Sequence, residues 1–123
     1  MDRDQLFKDK GLLYVEDDEI IRTNIAQFLR RRFKVVTEAE NGRQGLSLYS
    51  PGAYDIVITD IEMPIMNGLK MIEKMFELDP TQCIIITTGY NDDEHKSKRA
   101  CVNIIKPIIR EVLLTALFRC LSK

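Results

Sequence analysis

The sequence predicts an α/β fold: a doubly wound, five-stranded parallel sheet with helices on both faces. Three observations carry that prediction. Short apolar runs alternate with amphipathic stretches along the chain, five of each. The inner runs are apolar on both faces, as strands covered on both sides are. Chemistry-bearing residues stand at the carboxyl ends of these runs: Glu16, Asp17 and Asp18 after the first, Asp60 after the third, Lys106 after the fifth. In open α/β sheets, ligands bind beyond those ends, where the strand order reverses.

The elements follow in order. Residues 12–16 read as the first strand. Residues 19–32 read as a helix with Ile21, Ile25, Phe28 and Leu29 on one face, capped by Asp18. Residues 34–38 form a second, more polar strand, expected near a sheet edge. Residues 42–49 form a short helix, and Ser50, Pro51 and Gly52 a turn. Residues 55–59 are the third strand. Asn67 and Gly68 break the chain before a helix carrying Leu69, Ile72 and Phe76. That helix ends at Asp79-Pro80, because a residue before proline resists the α region. Residues 83–87 are the fourth strand. Residues 91–100 are polar and predict only a short, poorly anchored helix. Residues 102–105 are the fifth strand. Pro107 is expected to open a last helix with Ile109, Val112, Leu113, Ala116, Leu117 and Cys120 on its apolar face.

Composition narrows the function. A chain of 123 residues suits one domain, and 45% hydrophobic with 30% charged residues is a globular profile. The net charge of −1 gives no field to recruit nucleic acid or acidic lipid. Arg30, Arg31 and Arg32 read as the cationic last turn of a helix rather than a nucleic-acid contact. No apolar run is long enough to span a membrane, and the charged N-terminus has no signal-peptide segment. A cytoplasmic protein, or the cytoplasmic part of a longer one, is expected. The first ~8 residues are expected to form a loose N-terminal extension. Cys83, Cys101 and Cys120 are odd in number and lack a CxxC pair. Spacing and a reducing compartment argue against disulfide or metal roles for them. His95 has no metal-ligand companion and reads as a surface residue. Met63, Met66, Met71 and Met75 read as gap-fillers or partner-facing residues.

The acidic rim is the informative part. Two like charges about 4 Å apart cost roughly 4 kcal/mol at an effective dielectric of 20. A fold that gathers Glu16, Asp17 and Asp60 must therefore hold a cation among them or use their repulsion. Carboxylate oxygens favour Mg²⁺, which keeps several waters and takes one or two carboxylates. Asp60 is then an oxygen nucleophile for a phosphoryl group, forming an acyl phosphate. Lys106 and Thr88, ending the fifth and fourth strands, are suited to meet the phosphoryl oxygens. A nucleotide-binding version of the fold would put glycines, not acids, after the first strand.

These residues also carry a family resemblance. The motifs are Tyr14-Val15-Glu16-Asp17-Asp18, Thr59-Asp60-Ile61-Glu62-Met63-Pro64, Asn67-Gly68, Thr87-Thr88-Gly89-Tyr90 and Ile105-Lys106-Pro107. In this order and spacing, the chain resembles a receiver domain of a bacterial two-component response regulator over essentially its full length, 1–123. The resemblance implies a flavodoxin-like (βα)5 sandwich with strand order 2-1-3-4-5. It implies that Asp60 accepts a phosphoryl group from a phosphohistidine of a histidine kinase or phosphotransfer protein. Glu16 and Asp17 match the acidic pair that holds Mg²⁺ with Asp60. Glu62 matches the position that lends the metal a backbone carbonyl. Thr88 matches the switch hydroxyl and Lys106 the phosphate-binding lysine, followed by a cis bond to Pro107. An output domain or target protein is the implied downstream partner, with no nucleic acid contact and no membrane insertion. The resemblance implies a signalling switch rather than a metabolic enzyme.

Two departures from the family pattern fall on the output face. Asn103 stands where the family usually has an aromatic residue, three before the lysine. The segment from Thr88 to Lys106 is about four residues short, close to one helical turn. They motivate one alternative, a degenerate receiver that serves as a docking module. A second alternative is an aspartyl-phosphate phosphohydrolase, suggested by Asp60-Ile61-Glu62 after a strand. Such enzymes place that motif on the first strand and add a substrate cap, which this chain has no room for.

Overall fold

The structure is a computed structural model that describes residues 7–122. Its strands are β1 (Gly11–Val15), β2 (Val35–Ala39), β3 (Ile56–Asp60), β4 (Ile84–Thr88) and β5 (Val102–Ile105). They pair in parallel in the order β2-β1-β3-β4-β5. The helices are α1 (Glu19–Arg30), α2 (Gly42–Leu48), α3 (Gly68–Leu78) and α4 (Arg110–Leu121).

Alternation along the strands builds two cores. Leu12 and Tyr14 of β1, Ile56 and Ile58 of β3, Ile85 and Ile104 face one side. Against them pack Ile25, Ala26 and Leu29 of α1 and Leu113, Ala116 and Leu117 of α4. The intervening residues Leu13, Val15, Val57, Ile84 and Ile86 face the other side, against Met71, Ile72, Met75 and Phe76 of α3. A one-residue slip in any inner strand would exchange the two sets, so the register is well specified. The β3 and β4 strands are buried throughout, while β2 begins exposed at the sheet edge. Met71 and Met75 are core residues; Met63 and Met66 pack at the margin of the second core.

Helix starts are capped by local chemistry. Asp18 accepts from the Ile21 N–H, Asn41 from Gln44 and Asn67 from Lys70. The Asn67-Gly68 pair also has a packing reason. A Cβ at Gly68 would lie 2.0 Å from the Asp60 carbonyl oxygen, so only glycine lets α3 start against the end of β3. Just before it, Ile65 adopts φ of +72°, with the Met66 N–H bonded to the Pro64 carbonyl. A β-branched residue there carries about 1–3 kcal/mol of backbone strain.

Several expectations are corrected. No fourth α-helix forms between β4 and β5; only a 3₁₀ turn, Asp93–His95, is present. Residues 92–99 are all polar, so a helix there has no apolar face to bury and no tertiary gain to offset its nucleation cost. The turn is held by Asp92, which caps it and bonds His95, while the His95 ring stacks on Tyr90. The last helix opens at Arg110, not Pro107, and Ile109 and Val112 are exposed rather than on the buried face. Cys101 and Cys120 are joined in a disulfide, against the sequence expectation. Sequence spacing is blind to the sheet register that sets Cys101 at the start of β5, under the last turn of α4. Phe7 is buried and stacks on Phe33; the rest of the expected loose extension, residues 1–6, lies outside the described residues. Among the described residues, no helix is long and apolar enough to cross a membrane.

Candidate functional site

Parallel pairing brings the carboxyl ends of β1, β3, β4 and β5 to one rim. The Asp60 backbone pairs with Thr87, and Thr88 with Ile105. Glu16 follows β1, and its N–H is fixed by the Ala39 carbonyl. Asp60 closes β3, Thr88 closes β4, and Lys106 follows β5 with its N–H on the Thr88 carbonyl. Residues 16, 60, 88 and 106 thus meet in space although widely separated in sequence.

Lys106 is the hub. Its ammonium donates to Glu16 Oε1 at 3.0 Å and to Asp60 Oδ2 at 2.9 Å. The second oxygen of each acid is held by backbone: Asp60 Oδ1 accepts from the Ile61 N–H at 2.8 Å, and Glu16 Oε2 from the Asp18 N–H at 3.1 Å. Glu16 is fully buried and Asp60 nearly so, while Asp17 is exposed. Asp18, the third acid of the run, is used as the α1 cap.

Burial dominates the electrostatics. Loss of water pushes the Glu16 carboxyl up to about 7. The Asp18 N–H opposes that rise, the Asp60 charge adds to it, and the Lys106 ammonium again opposes it. Burial likewise raises the Asp60 carboxyl; the hydrogen bond and charge of Lys106 hold it back, and the Glu62 charge adds a little. For Lys106, burial works against the ammonium, but the bonds and charges of Asp60 and Glu16 outweigh it. The lysine therefore stays protonated across the physiological range.

The donor set suits a hard cation. Glu16, Asp17 and Asp60 each offer a carboxylate oxygen, all within 4.8 Å of one another. Three carboxylates facing one ammonium leave two negative charges when ionised, the charge of one divalent ion. Oxygen-only ligands with one exposed acid, leaving space for water, fit Mg²⁺. The Glu62 carboxylate is turned elsewhere: it accepts from the Thr88 hydroxyl at 2.9 Å and the Gly89 N–H at 3.0 Å.

Arg22, and the partner of Asn103, have no signal in the sequence. Arg22 donates to the Glu16 carbonyl at 2.8 Å and pairs with Glu38 of β2, pinning the β1 loop from the α1 side. Asn103 bonds Ser97 twice, accepting from its N–H and donating to its carbonyl. That pair cinches the loop into β5 where an aromatic residue was expected. Arg22 lies one turn beyond the Asp18 cap, a position from which a long side chain returns to the loop; no pattern in sequence marks its partner.

Comparison with known proteins agrees with this geometry. The profile of the response regulator receiver domain matches residues 12–118. A chemotaxis protein CheY of Halobacterium salinarum is 33% identical over 89 residues, covering 72% of this chain and 74% of that protein. A cyclic di-GMP phosphodiesterase of Thermotoga maritima is 32% identical over 108 residues, 83% of this chain; the chain spans only 28% of that longer protein. Among solved structures, the non-phosphorylated HemR receiver domain from Leptospira biflexa superposes with a TM-score of 0.86 at 25% identity, covering 94% of this chain and 96% of that one. An acidic pocket, a lysine bridging it and a flavodoxin-like sheet in order 2-1-3-4-5 thus coincide with a profile match over most of the length, and the chain belongs to the response regulator receiver domain family of two-component signalling.

Proposed function

We propose that this chain is a phosphoacceptor switch in which Asp60 takes a phosphoryl group from the phosphohistidine of a histidine kinase or phosphotransfer protein. The observation that carries the reading is the convergence on Asp60. It sits at a strand end with one oxygen fixed by the Ile61 N–H and the other by Lys106. An Asp60 oxygen forms the new bond to phosphorus as the bond from phosphorus to the donor imidazole breaks. The imidazole leaves with that electron pair. Lys106, already 2.9 Å from Asp60, is in reach of the phosphoryl oxygens and offsets their charge. Glu16, Asp17, Asp60 and the Glu62 carbonyl would hold Mg²⁺, which supplies charge neutralisation for the transferring group.

The output follows from Thr88. In the present state its hydroxyl is committed to Glu62. A phosphoryl group on Asp60 adds strong acceptors, and Thr88 leaves Glu62 to donate to one of them. The Thr88 hydroxyl also accepts from the Tyr90 N–H, so the exchange releases the backbone after β4 and moves the face that a target or output domain would read. Converting a mostly inactive population to a mostly active one takes about 5.5 kcal/mol of differential stabilisation.

The test is incubation with Mg²⁺ and acetyl phosphate, followed by intact mass. Wild type gains one phosphoryl group, and Asp60→Asn does not. An unmodified wild type, or a variant that is still modified, would overturn the reading. A second reading, a docking module with an impaired switch, is favoured by the 3₁₀ turn and by the Asn103–Ser97 clasp. It gives phosphorylation without any change in the amide spectrum of residues 88–105.

A further inference from the structure

All three cysteines of the chain converge at the end of the sheet opposite Asp60. Cys83 precedes β4, Cys101 precedes β5, and Cys120 lies in the last turn of α4. Their sulfurs lie within 4.8 Å of one another. Cys101 and Cys120 are joined, and Cys83 keeps its thiol. The backbone at both strand starts is fixed: the Cys83 carbonyl accepts from the Val57 N–H, and the Cys101 N–H donates to the Ile84 carbonyl. All three side chains, with Gln82 and Arg99, line one cavity of about 440 Å³. The Arg99 guanidinium rests 4.0 Å over the Phe76 ring.

We propose that these sulfurs form a thiol–disulfide exchange site, with Cys83 as the attacking group and the Cys101–Cys120 bond as its target. Exchange needs a thiolate within reach of a disulfide sulfur, access to solvent, and a place for the departing charge. The cavity supplies the access. Cys120 is buried, whereas Cys101 is half-buried, and Arg99 lines the same cavity. A departing thiolate is better accommodated beside a cation and water than inside the core. Attack therefore falls on the Cys120 sulfur and expels Cys101. Cys83 loses its proton to solvent and contributes the electron pair of the new Cys83–Cys120 bond. The pair of the old bond leaves on the Cys101 sulfur, which takes up a proton. One disulfide replaces another, with no net oxidation. The cross-link to α4 passes from the start of β5 to the start of β4, freeing the strand that carries Lys106 at its other end. The chemistry is independent of phosphoryl transfer.

The experiment uses the intact chain, dilute and purified without reductant. Samples held anaerobically in acid or at about pH 8.5, near the ordinary thiol pKa, are quenched in acid with N-ethylmaleimide and mapped as unreduced peptides. At the higher pH, Cys83 labelling falls and Cys101 labelling rises mole for mole, and a Cys83–Cys120 peptide appears. Cys83→Ser shows only the Cys101–Cys120 peptide at either pH. Cys101→Ser, treated with a small-molecule disulfide, closes Cys83–Cys120 within one chain. Three labelled cysteines in wild type, an unchanging Cys83 label at both pH values, or linkages only between chains would each overturn the proposal. The wild-type map decides even if a variant fails to fold.

Discussion

Replacing Glu16 with glutamine should make the metal-depleted protein more stable while weakening its hold on a divalent ion. Glu16 is fully buried, and its carboxyl sits at about 7 rather than 4.5. That difference corresponds to about 3 kcal/mol between its neutral and charged forms. The sign follows from proton linkage. Between those two values the folded chain binds more proton than the unfolded one, so stability falls as pH rises through the window. Above it, wild type carries the whole cost. Glutamine never ionises, so Glu16→Gln escapes that cost, in which the Lys106 attraction is already contained. The net gain at about pH 8 is about 2–3 kcal/mol, or roughly 10 °C in Tm for a chain of this size. At about pH 5, near the bottom of that window, the folded wild type carries the neutral acid and most of the gap should close; below about pH 4 the two proteins should melt together. Thermal and urea melts in EDTA across this range make the test. Added Mg²⁺ should stabilise wild type by mass action and the variant less. A variant no more stable than wild type at pH 8, or a gap that persists unchanged at pH 5, would refute the electrostatic account.

Two further outcomes test the framework around the site. Gly68→Ala forces a Cβ against the Asp60 carbonyl, 2.0 Å away, and should lower stability by about 1–3 kcal/mol by urea unfolding; an unchanged midpoint would show that α3 does not need that approach. Phe7→Ala empties a buried ring stacked at 5.0 Å on Phe33 and should cost about 3–5 kcal/mol. A loss below about 1 kcal/mol in the same assay would mean that the segment before β1 contributes little to the core.

The site was legible because its residues are bound to strand ends. A buried run such as residues 56–59 announces a strand, and whatever follows it must emerge at the carboxyl rim. Asp60, Thr88 and Lys106 were readable on that ground, and Glu16 and Asp17 likewise. Their bonds were not. That Lys106 bridges Glu16 and Asp60, or that Glu62 turns to Thr88, depends on side-chain reach across neighbouring strands, for which local sequence carries no signal. The polar stretch before β5 has the composition of a weak helix; without an apolar stripe it settles into one 3₁₀ turn held by Asp92 and His95. Ile109 and Val112 fit a helical period yet lie outside, because the helix starts at Arg110 and turns Leu113, Ala116 and Leu117 to the sheet. The cysteines failed differently: spacing along the chain says nothing about three sulfurs brought together by strand register and the docking of α4.

By itself, the amino-acid order determined the alternation of strand and helix, the inward face of each inner strand, and which acids and which lysine would reach the rim. Those are consequences of local periodicity and of chain direction in a parallel sheet. Tertiary structure alone decided that one ammonium is shared by two buried carboxylates, that Thr88 is held by Glu62, and that the only cysteines in the chain meet at the opposite end. Each of these depends on distances between elements remote in sequence, which are fixed only when the two cores close around the sheet.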